Sequence, residues 1–349
     1  MDRISFLPDD FLLHILSLLT TKDVLKTSLL SKRWRNLWKL VHKLEYTDYT
    51  KNAADHARFL LFVDRSLLLN TAPILDSLSF KFDRQCNDVD IGFWVRIAVE
   101  RGLRHFDYYP YVLQQPSKLP QSLFTCGTLV ALKLSNVSLA DVKFPVSFPL
   151  LKVLHLRWVI YSDDETPQKL LSSCLILQEL MVDRQKKDNV TTFPITLPLL
   201  QRLIYIGESN DEMFELNAPS LKCLEIRDVG YECMIEKMPE IVSANVESPF
   251  PTGKIFHQLV ELEFCTCDSE WDLLLSFLTH SPKLRALKLS ERMECRERTR
   301  NVYRLEKHSC RLKKAIFSPE VTNLEKKHGM LIELALLSRG STTCQLVFG

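Results

Sequence analysis

Two short clusters of side chains in this sequence have residue types that can do chemistry. Residues 163–165 are Asp-Asp-Glu, a set of carboxylates suited to acid–base work or to metal binding. They precede Thr166-Pro167 in a predicted loop, with no paired histidine and no metal-ligand spacing, so a charged turn is favoured. Cys265 and Cys267 are too closely spaced for the usual structural zinc pair, and buried packing is favoured for them.

The remaining candidates form no catalytic motif. The basic segment 292–300 could contact phosphate, but Glu294 and Glu297 interrupt it and favour a solvated linker. The nine histidines show no catalytic arrangement, and the nine glycines form no phosphate-binding loop. We therefore expect a protein without catalytic residues, without a cofactor and without a bound metal.

Length and charge set the broad class. With 349 residues, 46% of them hydrophobic, the chain is long enough for two or three folded domains. Its 45 basic and 43 acidic residues leave a net charge of +2, so no overall field favours nucleic acid or an anionic membrane. The ten cysteines form no CxxC pair, and neither a secretory signal nor a membrane-spanning run is present. We expect an intracellular protein of the nucleus or cytoplasm that binds neither nucleic acid nor membranes.

The most informative segment is 7–38, which predicts three short helices. They carry more apolar surface than a module of about 45 residues can bury alone. This surplus predicts a partner. One helical stripe is predicted, with further apolar residues that widen it beyond a single face: Leu12, Ile15, Leu16 and Leu19 in the stripe, and Leu13 and Leu18 beside it.

This segment resembles an F-box, the helical module that attaches a protein to the SKP-type adaptor of cullin-RING ubiquitin ligases. The resemblance rests on Leu7-Pro8-Asp9-Asp10, the Ile15-Leu16 pair, the turn at Ser28 and the closing sequence SKRWRNLW at 31–38. It implies that the apolar residues serve partly the module's own core and partly the adaptor contact, a division that the sequence leaves open. The implied residues are Leu7, Pro8, Ile15, Leu16, Leu19, Val24, Leu25 and Trp34.

A repeat of the form LxxLxL runs through the rest of the chain. Each unit predicts a strand whose alternate apolar residues face an interior, while the residues between them face outward. No repeat can bury its leucines alone, so neighbouring repeats must stack into a solenoid. Helices are predicted between strands at 56–69, 91–99, 168–173 and 271–279. The units begin at Leu75, Leu103, Leu129, Leu151, Leu177, Leu200, Leu221, Leu259, Leu284 and Leu312, with a weaker unit at Ile241.

Residues 58–298 resemble the leucine-rich-repeat region of plant F-box proteins, through sequences such as FVDRSLLLN, VDIGFWVRIAVERGL, LPQSLFTCGTLVALKL and TPQKLLSSC. The resemblance implies an irregular horseshoe, shortened near 247–253, that holds a protein target on outward-facing strand residues. An ordinary solvated strand position is the alternative for each of them. The candidates are Lys133, His155, Arg157, Asp183, Glu225, Arg227, Glu263 and Lys288.

Residues 299–349 predict an α/β cap of the solenoid end, with helices at 300–308 and 323–337 and strands at 312–317 and 344–348. The sequences LKKAIFSPE, NLEKKHGMLIEL and RGSTTCQLVF resemble the end of the FBD domain, whose first part is missing here. The predicted fold class is therefore α/β. It comprises a three-helix F-box (1–48), an irregular leucine-rich-repeat solenoid (49–290) and a shortened FBD domain (291–349).

The order F-box, repeats and FBD implies a plant protein that is the non-catalytic substrate-recognition subunit of an SCF-type (SKP-cullin-F-box) E3 ubiquitin ligase. Its implied partners are the SKP-type adaptor, through it a cullin-RING ligase, and an unknown protein substrate. A leucine-rich-repeat scaffold without ubiquitin transfer is the alternative. An enzyme would need a cluster of titratable groups that the histidines do not form, and small-molecule sensing rests on fold analogy alone.

Overall fold

The computed structural model forms two compact units, Met1–Ile176 with Lys187–Asn189, and Leu177–Lys186 with Val190–Gly349. The residues that the structure describes are 4–50, 52–84, 86–110, 115–140, 145–185, 188–207, 213–227, 233–235, 238–246, 256–266, 281–291, 314–318 and 345–348.

The first unit opens with three short helices, α1 (Asp9–Ser17), α2 (Thr21–Thr27) and α3 (Trp34–Leu37). Asp9 and Asp10 lie in the first turn of α1, where carboxylates favour the helix dipole. The Thr20 hydroxyl caps α2 by accepting the Asp23 N–H. Two 3₁₀ helices, Ile4–Phe6 and Trp38–Leu40, flank these three helices. The helices close on an apolar core of Leu12, Leu16, Val24, Trp34, Leu37, Trp38 and Val41.

A parallel sheet follows in the same unit, with its strands in chain order. The strands are β1 (Lys43–Asp48), β2 (Ser77–Phe82), β3 (His105–Pro110), β4 (Ala131–Ser135) and β5 (Val153–Arg157). Helices lie between strands because a parallel connection must return the chain to the other end of the sheet. They are α4 (Ala53–Leu69), α5 (Asp88–Glu100), α6 (Gln121–Phe124) and, after β5, α7 (Glu165–Ser172).

The two longest helices, α4 and α5, begin at asparagine caps and pack against each other. The Asn52 side chain caps α4 by accepting the Asp55 N–H at 2.8 Å, and Asn87 caps α5 by accepting the Val89 N–H at 3.0 Å. On α5, a stripe of buried residues that includes Trp94 packs inward. The Trp94 indole N–H donates to Asp64 of α4 at 2.5 Å, which ties the two helices together.

The second unit contains two parallel sheets. Its larger sheet pairs β6 (Glu179–Asp183), β8 (Arg202–Ile206), β10 (Cys223–Arg227), β12 (Ser243–Val246), β13 (Glu261–Thr266), β14 (Ala286–Glu291), β15 (Lys314–Ser318) and β16 (Gln345–Phe348) in that order. Its smaller sheet pairs β7 (Thr192–Thr196), β9 (Met213–Asn217) and β11 (Cys233–Ile235).

Each LxxLxL unit forms a strand, which confirms the repeat interpretation. In the first LxxLxL repeat, Leu75, Leu78 and Phe80 are all fully buried, and β2 begins two residues after Leu75. The same burial recurs at the other repeats up to Leu284 and Leu287. The strands predicted at 312–317 and 344–348 are present as β15 and β16.

The structure differs from the sequence predictions at one turn and at several strands, which include β1. Of the charged residues 163–165, Asp163 and Asp164 lie in a turn, as predicted, whereas Glu165 begins α7. The Asp163 carboxylate accepts the Thr166 N–H at 2.9 Å. The strands β7, β9 and β11 were not predicted, because they lack the LxxLxL pattern. The helices predicted at 271–279, 300–308 and 323–337 lie outside the described residues.

Candidate functional site

The three amino-terminal helices carry the first candidate site, and burial divides its eight predicted residues. Leu16, Val24 and Trp34 are buried in the core of the helical module. A second group, Leu7, Leu19 and Leu25, packs partly against that core. Pro8 and Ile15 are exposed. Leu16, Val24 and Trp34 therefore hold the module together and present almost no surface to a partner.

The exposed apolar surface of the module is larger than the sequence indicated. Two apolar stripes run along α1 and its C-cap residue Leu18. Leu12 and Leu16 face the core, whereas Phe11, Ile15 and Leu18, at helical spacing, face outward. Helical periodicity revealed the excess of apolar residues but not which of them the fold would leave exposed. The outward set ranges from 40% exposed at Ile15 to 86% at Leu29 and comprises Ile4, Phe6, Phe11, Ile15, Leu18, Leu29, Leu30 and Leu40.

Arg33 holds the start of α1 in place. Its guanidinium donates to the Leu7 carbonyl at 2.6 Å and to the Asp9 carboxylate at 2.9 Å. The ion pair with Asp9 is well exposed, so its contribution to stability is about 1 kcal/mol at most. The bond to the Leu7 carbonyl fixes the segment that leads into the outward stripe of α1.

The helical module is joined to the sheet by specific hydrogen bonds. The buried Thr21 hydroxyl accepts the Glu45 N–H of β1 at 2.8 Å. The buried Asn70, which follows α4, donates its side-chain amide to the Val41 carbonyl at 2.9 Å. The Lys39 carbonyl accepts the backbone N–H of Thr71 at 2.7 Å. Because these bonds link the module to β1 and to the end of α4, the helices and the first repeats form one continuous structure.

The outer face of the first sheet brings three predicted target-binding residues together. Lys133 of β4 is directly opposite His155 of β5, and Ser135 is opposite Arg157. Arg157 reaches back to β3, where its guanidinium donates to the Tyr109 hydroxyl at 2.5 Å. The guanidinium also stacks 4.6 Å from the centre of the Trp158 ring, in cation–π geometry.

Asp107 lies within this group of cations. It is opposite Lys133 in the pairing of β3 with β4. Burial raises the pKa of the Asp107 carboxyl, and the positive charges of Lys133, Lys81 and His155 oppose that rise. The outer face of β3 to β5 thus combines basic side chains, one shielded acid and two aromatic rings.

The five candidates of the second unit behave differently. Glu225 and Arg227 form an ion pair at 2.7 Å on β10, and Glu263 pairs with Lys288 of the neighbouring strand. Asp183 is only 8% exposed, so the prediction that it faces solvent is wrong. The alternation breaks at the end of β6, where Val182, Asp183 and Arg184 are all buried.

The described residues offer no site for a metal, because they contain no group of three or more His, Cys, Asp or Glu side chains placed to hold one. Two of their buried cysteines are poor nucleophiles: burial raises the pKa of Cys86 to about 12 and that of Cys174 to about 11. In the part of the chain that the structure describes, no helix is long and apolar enough to cross a membrane.

A small helical module with an exposed apolar surface, joined to a repeating parallel sheet, defines a docking protein of the F-box and leucine-rich-repeat class. The F-box domain profile matches residues 4–46. A second profile, described as the leucine-rich repeats of FBD-associated F-box protein At5g56370, matches residues 91–246. These two matches cover the helical module and the strands from β3 to β12.

Whole-chain comparisons agree. The chain is 50% identical to FBD-associated F-box protein At5g56370 of Arabidopsis thaliana, with 100% of both chains covered. It is 41% identical to F-box/FBD/LRR-repeat protein At5g56420 of the same plant, with 99% of each covered. The chain belongs to the plant family of F-box proteins with leucine-rich repeats and an FBD domain. The first alignment extends over 423 positions against 349 residues here, so that relative has segments without a counterpart in this chain.

Proposed function

We propose that this protein is the non-catalytic substrate-recognition subunit of an SCF-type E3 ubiquitin ligase. The F-box binds the SKP-type adaptor, and the repeats with the FBD domain bind a protein target for ubiquitination. The observation that carries the proposal is the apolar surface of α1 and its flanking turns. It stays exposed although the module's own core is complete.

The adaptor contact follows from that surface. Contiguous exposed apolar patches on soluble proteins mark interaction sites, and burial in a partner contributes about 25 cal/mol per Å² of apolar area. Phe11, Ile15 and Leu18 form one stripe, with Pro8 at its start, so a groove that receives a helix face would cover all four. Leu7, Leu19 and Leu25, which pack partly against the module core, contribute their exposed parts to the same contact.

In this proposal the repeat region binds the target. The repeats form a horseshoe, and the strand residues that point away from its hydrophobic interior line the concave surface. Because hydrogen bonds fix the F-box to β1 and to the end of α4, a target on the first repeats is held at a defined distance from the adaptor. The ligase's RING subunit then brings the ubiquitin-charged enzyme. Holding both together raises the effective concentration of the target lysine near the thioester, and this chain contributes geometry rather than chemistry.

The test is adaptor binding by the purified full chain, with Phe11→Ala/Ile15→Ala compared against Leu61→Ala/Leu68→Ala. The control pair removes two exposed apolar side chains from α4, outside the F-box. If each F-box residue contributes about 2 kcal/mol, the F-box pair weakens binding at least a hundredfold. The control pair leaves the affinity unchanged. Equal affinities for both variants would refute the adaptor interface.

A second measurement separates the ligase subunit from a scaffold. Reconstituted with adaptor, cullin and RING subunit, the chain should support ubiquitination of a protein that it captures. Adaptor binding without ubiquitin transfer to any captured protein would instead favour the scaffold alternative.

A further inference from the structure

A cleft of about 930 Å³ lies at the junction between the F-box and the first repeat, apart from both surfaces described above. This volume is at the upper end of the range of about 300–1,000 Å³ that is typical of ligand sites. The cleft runs along the outer edge of β1. Its walls come from the start of α2, from β1 and the residues after it, and from α4, with Lys22, Thr47, Phe59, Phe62 and Lys81 among the lining residues.

The backbone of β1 determines what can bind there. The backbone carbonyls of His42 and Asp48 accept the N–H groups of Ser77 and Asp83. The backbone N–H and C=O groups of the even-numbered residues in this segment therefore point toward β2. Residues in a strand alternate in the side to which their backbone groups point, and the odd-numbered residues therefore face the open edge. The Thr21 hydroxyl already binds one of these groups, the Glu45 N–H.

Thr47 is the next odd-numbered residue, and its backbone groups face the cleft. Within the described residues its N–H has no backbone partner outside the strand and no side-chain acceptor. An exposed strand edge of this kind is a template for one more strand. Helix α2 covers the edge at Glu45, so only a few residues remain open, at about 3.3 Å each. This is too short for two six-residue strands to pair edge to edge, and it suits a short extended segment.

The side chains around the edge specify the chemistry of that segment. Most charges in the cleft are already paired, as Lys81 is with Glu45 at 3.1 Å and Arg58 with Asp55 at 2.8 Å. Lys22 has no ion pair among the described residues and can pair with an acidic group. The partly exposed rings of Phe59 and Phe62 offer an apolar contact on the other wall.

We propose that this cleft binds an extended segment of a partner protein, which adds to the sheet beside β1. The segment places a carboxylate near Lys22 and an apolar side chain on Phe59 and Phe62. This site is independent of adaptor binding and of ubiquitin transfer. It gives the junction between F-box and repeats a peptide-binding role of its own.

The test starts from selection of a phage-displayed random octapeptide library on the purified full chain, followed by fluorescence anisotropy with the enriched peptides. Thr47→Pro removes the N–H that faces the cleft and leaves the pairing with β2 intact, because proline is tolerated at outward-facing edge positions. Thr47→Val is the matched control, since it keeps the N–H. We expect at least tenfold weaker binding to Thr47→Pro, unchanged binding to Thr47→Val and severalfold weaker binding to Lys22→Ser.

A second measurement does not depend on how Thr47→Pro folds. Methylating the peptide amide that pairs with the Thr47 carbonyl should also weaken binding at least tenfold. The Phe11→Ala/Ile15→Ala variant should bind the peptide normally, so failure of this site and failure of the adaptor interface are distinguishable. The proposal is overturned if no peptide is enriched, if binding ignores both changes, or if the chain forms a dimer that Thr47→Pro abolishes.

Discussion

Ile15 and Leu16 are adjacent and chemically alike, yet the fold gives them opposite roles. Leu16 is fully buried, whereas Ile15 is 40% exposed on the outward stripe of α1. Truncating a buried leucine removes transfer free energy and leaves a cavity, whereas truncating an isoleucine that is 40% exposed removes less transfer free energy and leaves no enclosed cavity. If the proposed adaptor interface is right, stability and adaptor affinity are carried by different residues of the same helical turn.

We predict that Leu16→Ala lowers the free energy of unfolding by about 2–5 kcal/mol, while Ile15→Ala lowers it by about 1 kcal/mol or less. Urea unfolding followed by circular dichroism measures both. Adaptor affinity should follow the opposite order once folded protein is compared, with the larger loss for Ile15→Ala. Similar unfolding free energies for the two variants would contradict the assignment of faces.

Asp48 and His56 form a buried pair that makes stability depend on pH. The His56 ring Nδ1 lies 2.6 Å from the Asp48 carboxylate. Burial raises the pKa of Asp48, but hydrogen bonds from His56 and Thr50 outweigh it, and the pKa is lower than its ordinary value of 3.8. Asp48 therefore binds a proton more readily in the unfolded chain than in the folded protein. Stabilisation by its carboxylate is complete at pH values above the ordinary pKa, and it is lost as pH falls through the lower pKa of the folded state.

We predict that the difference in unfolding free energy between the native protein and Asp48→Asn is fully developed above about pH 5 and smaller at pH 3. Asp83→Asn, which changes a neighbouring carboxyl outside this pair, serves as the control. Urea titrations at several pH values measure both differences. A difference that grows on acidification would show that the carboxylate is not the stabilised form.

At the scale of elements, the decisive joint is between α2 and β1. The Thr21 hydroxyl and the Asn70 side chain are both buried. The hydroxyl joins α2 to β1, and the Asn70 amide joins the end of α4 to the Val41 carbonyl of the F-box module. A buried N–H that loses its acceptor costs about 1–3 kcal/mol. Deleting the F-box would expose this edge as well as remove the adaptor surface, so point variants give the cleaner test of function.

We predict that Thr21→Val lowers the free energy of unfolding by about 1–3 kcal/mol and speeds amide exchange at Glu45. Thr27→Val is the matched control. Its hydroxyl donates to the Val24 carbonyl within α2 and makes no bond to the sheet. Hydrogen exchange measured by mass spectrometry resolves the β1 segment. Unchanged exchange at Glu45 in Thr21→Val would show that the joint does not protect this edge.

The strands were predictable from sequence because each LxxLxL unit places three apolar residues where a parallel strand buries them, as Leu75, Leu78 and Phe80 do. The strand β1 was missed because KLEYTD contains only Leu44 and Tyr46 as buried apolar residues, and its pairing with β2 is a long-range contact. The exposure of the outward stripe of α1 could not be predicted either. Periodicity identifies an apolar helix face, but whether the chain covers that face depends on tertiary packing.

At the scale of the whole molecule, the two proposed partners use surfaces of opposite character. The F-box surface is apolar, whereas the outer face of β3 to β5 is basic and aromatic, with Lys133 and Arg157 among its residues. Apolar burial sets the lifetime of a complex, while exposed charges act mainly on specificity and association rate. Adaptor binding and target binding should therefore respond independently to mutation.

We predict that Lys133→Ser/Arg157→Ser keeps native adaptor affinity but weakens target capture by about tenfold or more, since two central residues contribute roughly 1–2 kcal/mol each. The control Arg104→Ser/Lys152→Ser removes the same charge from positions just before β3 and β5. Affinity purification under proteasome inhibition, with quantitative mass spectrometry of ubiquitinated proteins, compares the sets. Loss confined to Lys133→Ser/Arg157→Ser places the target on this face. Equal loss in the control would mean that net charge, and not this cluster, attracts the target.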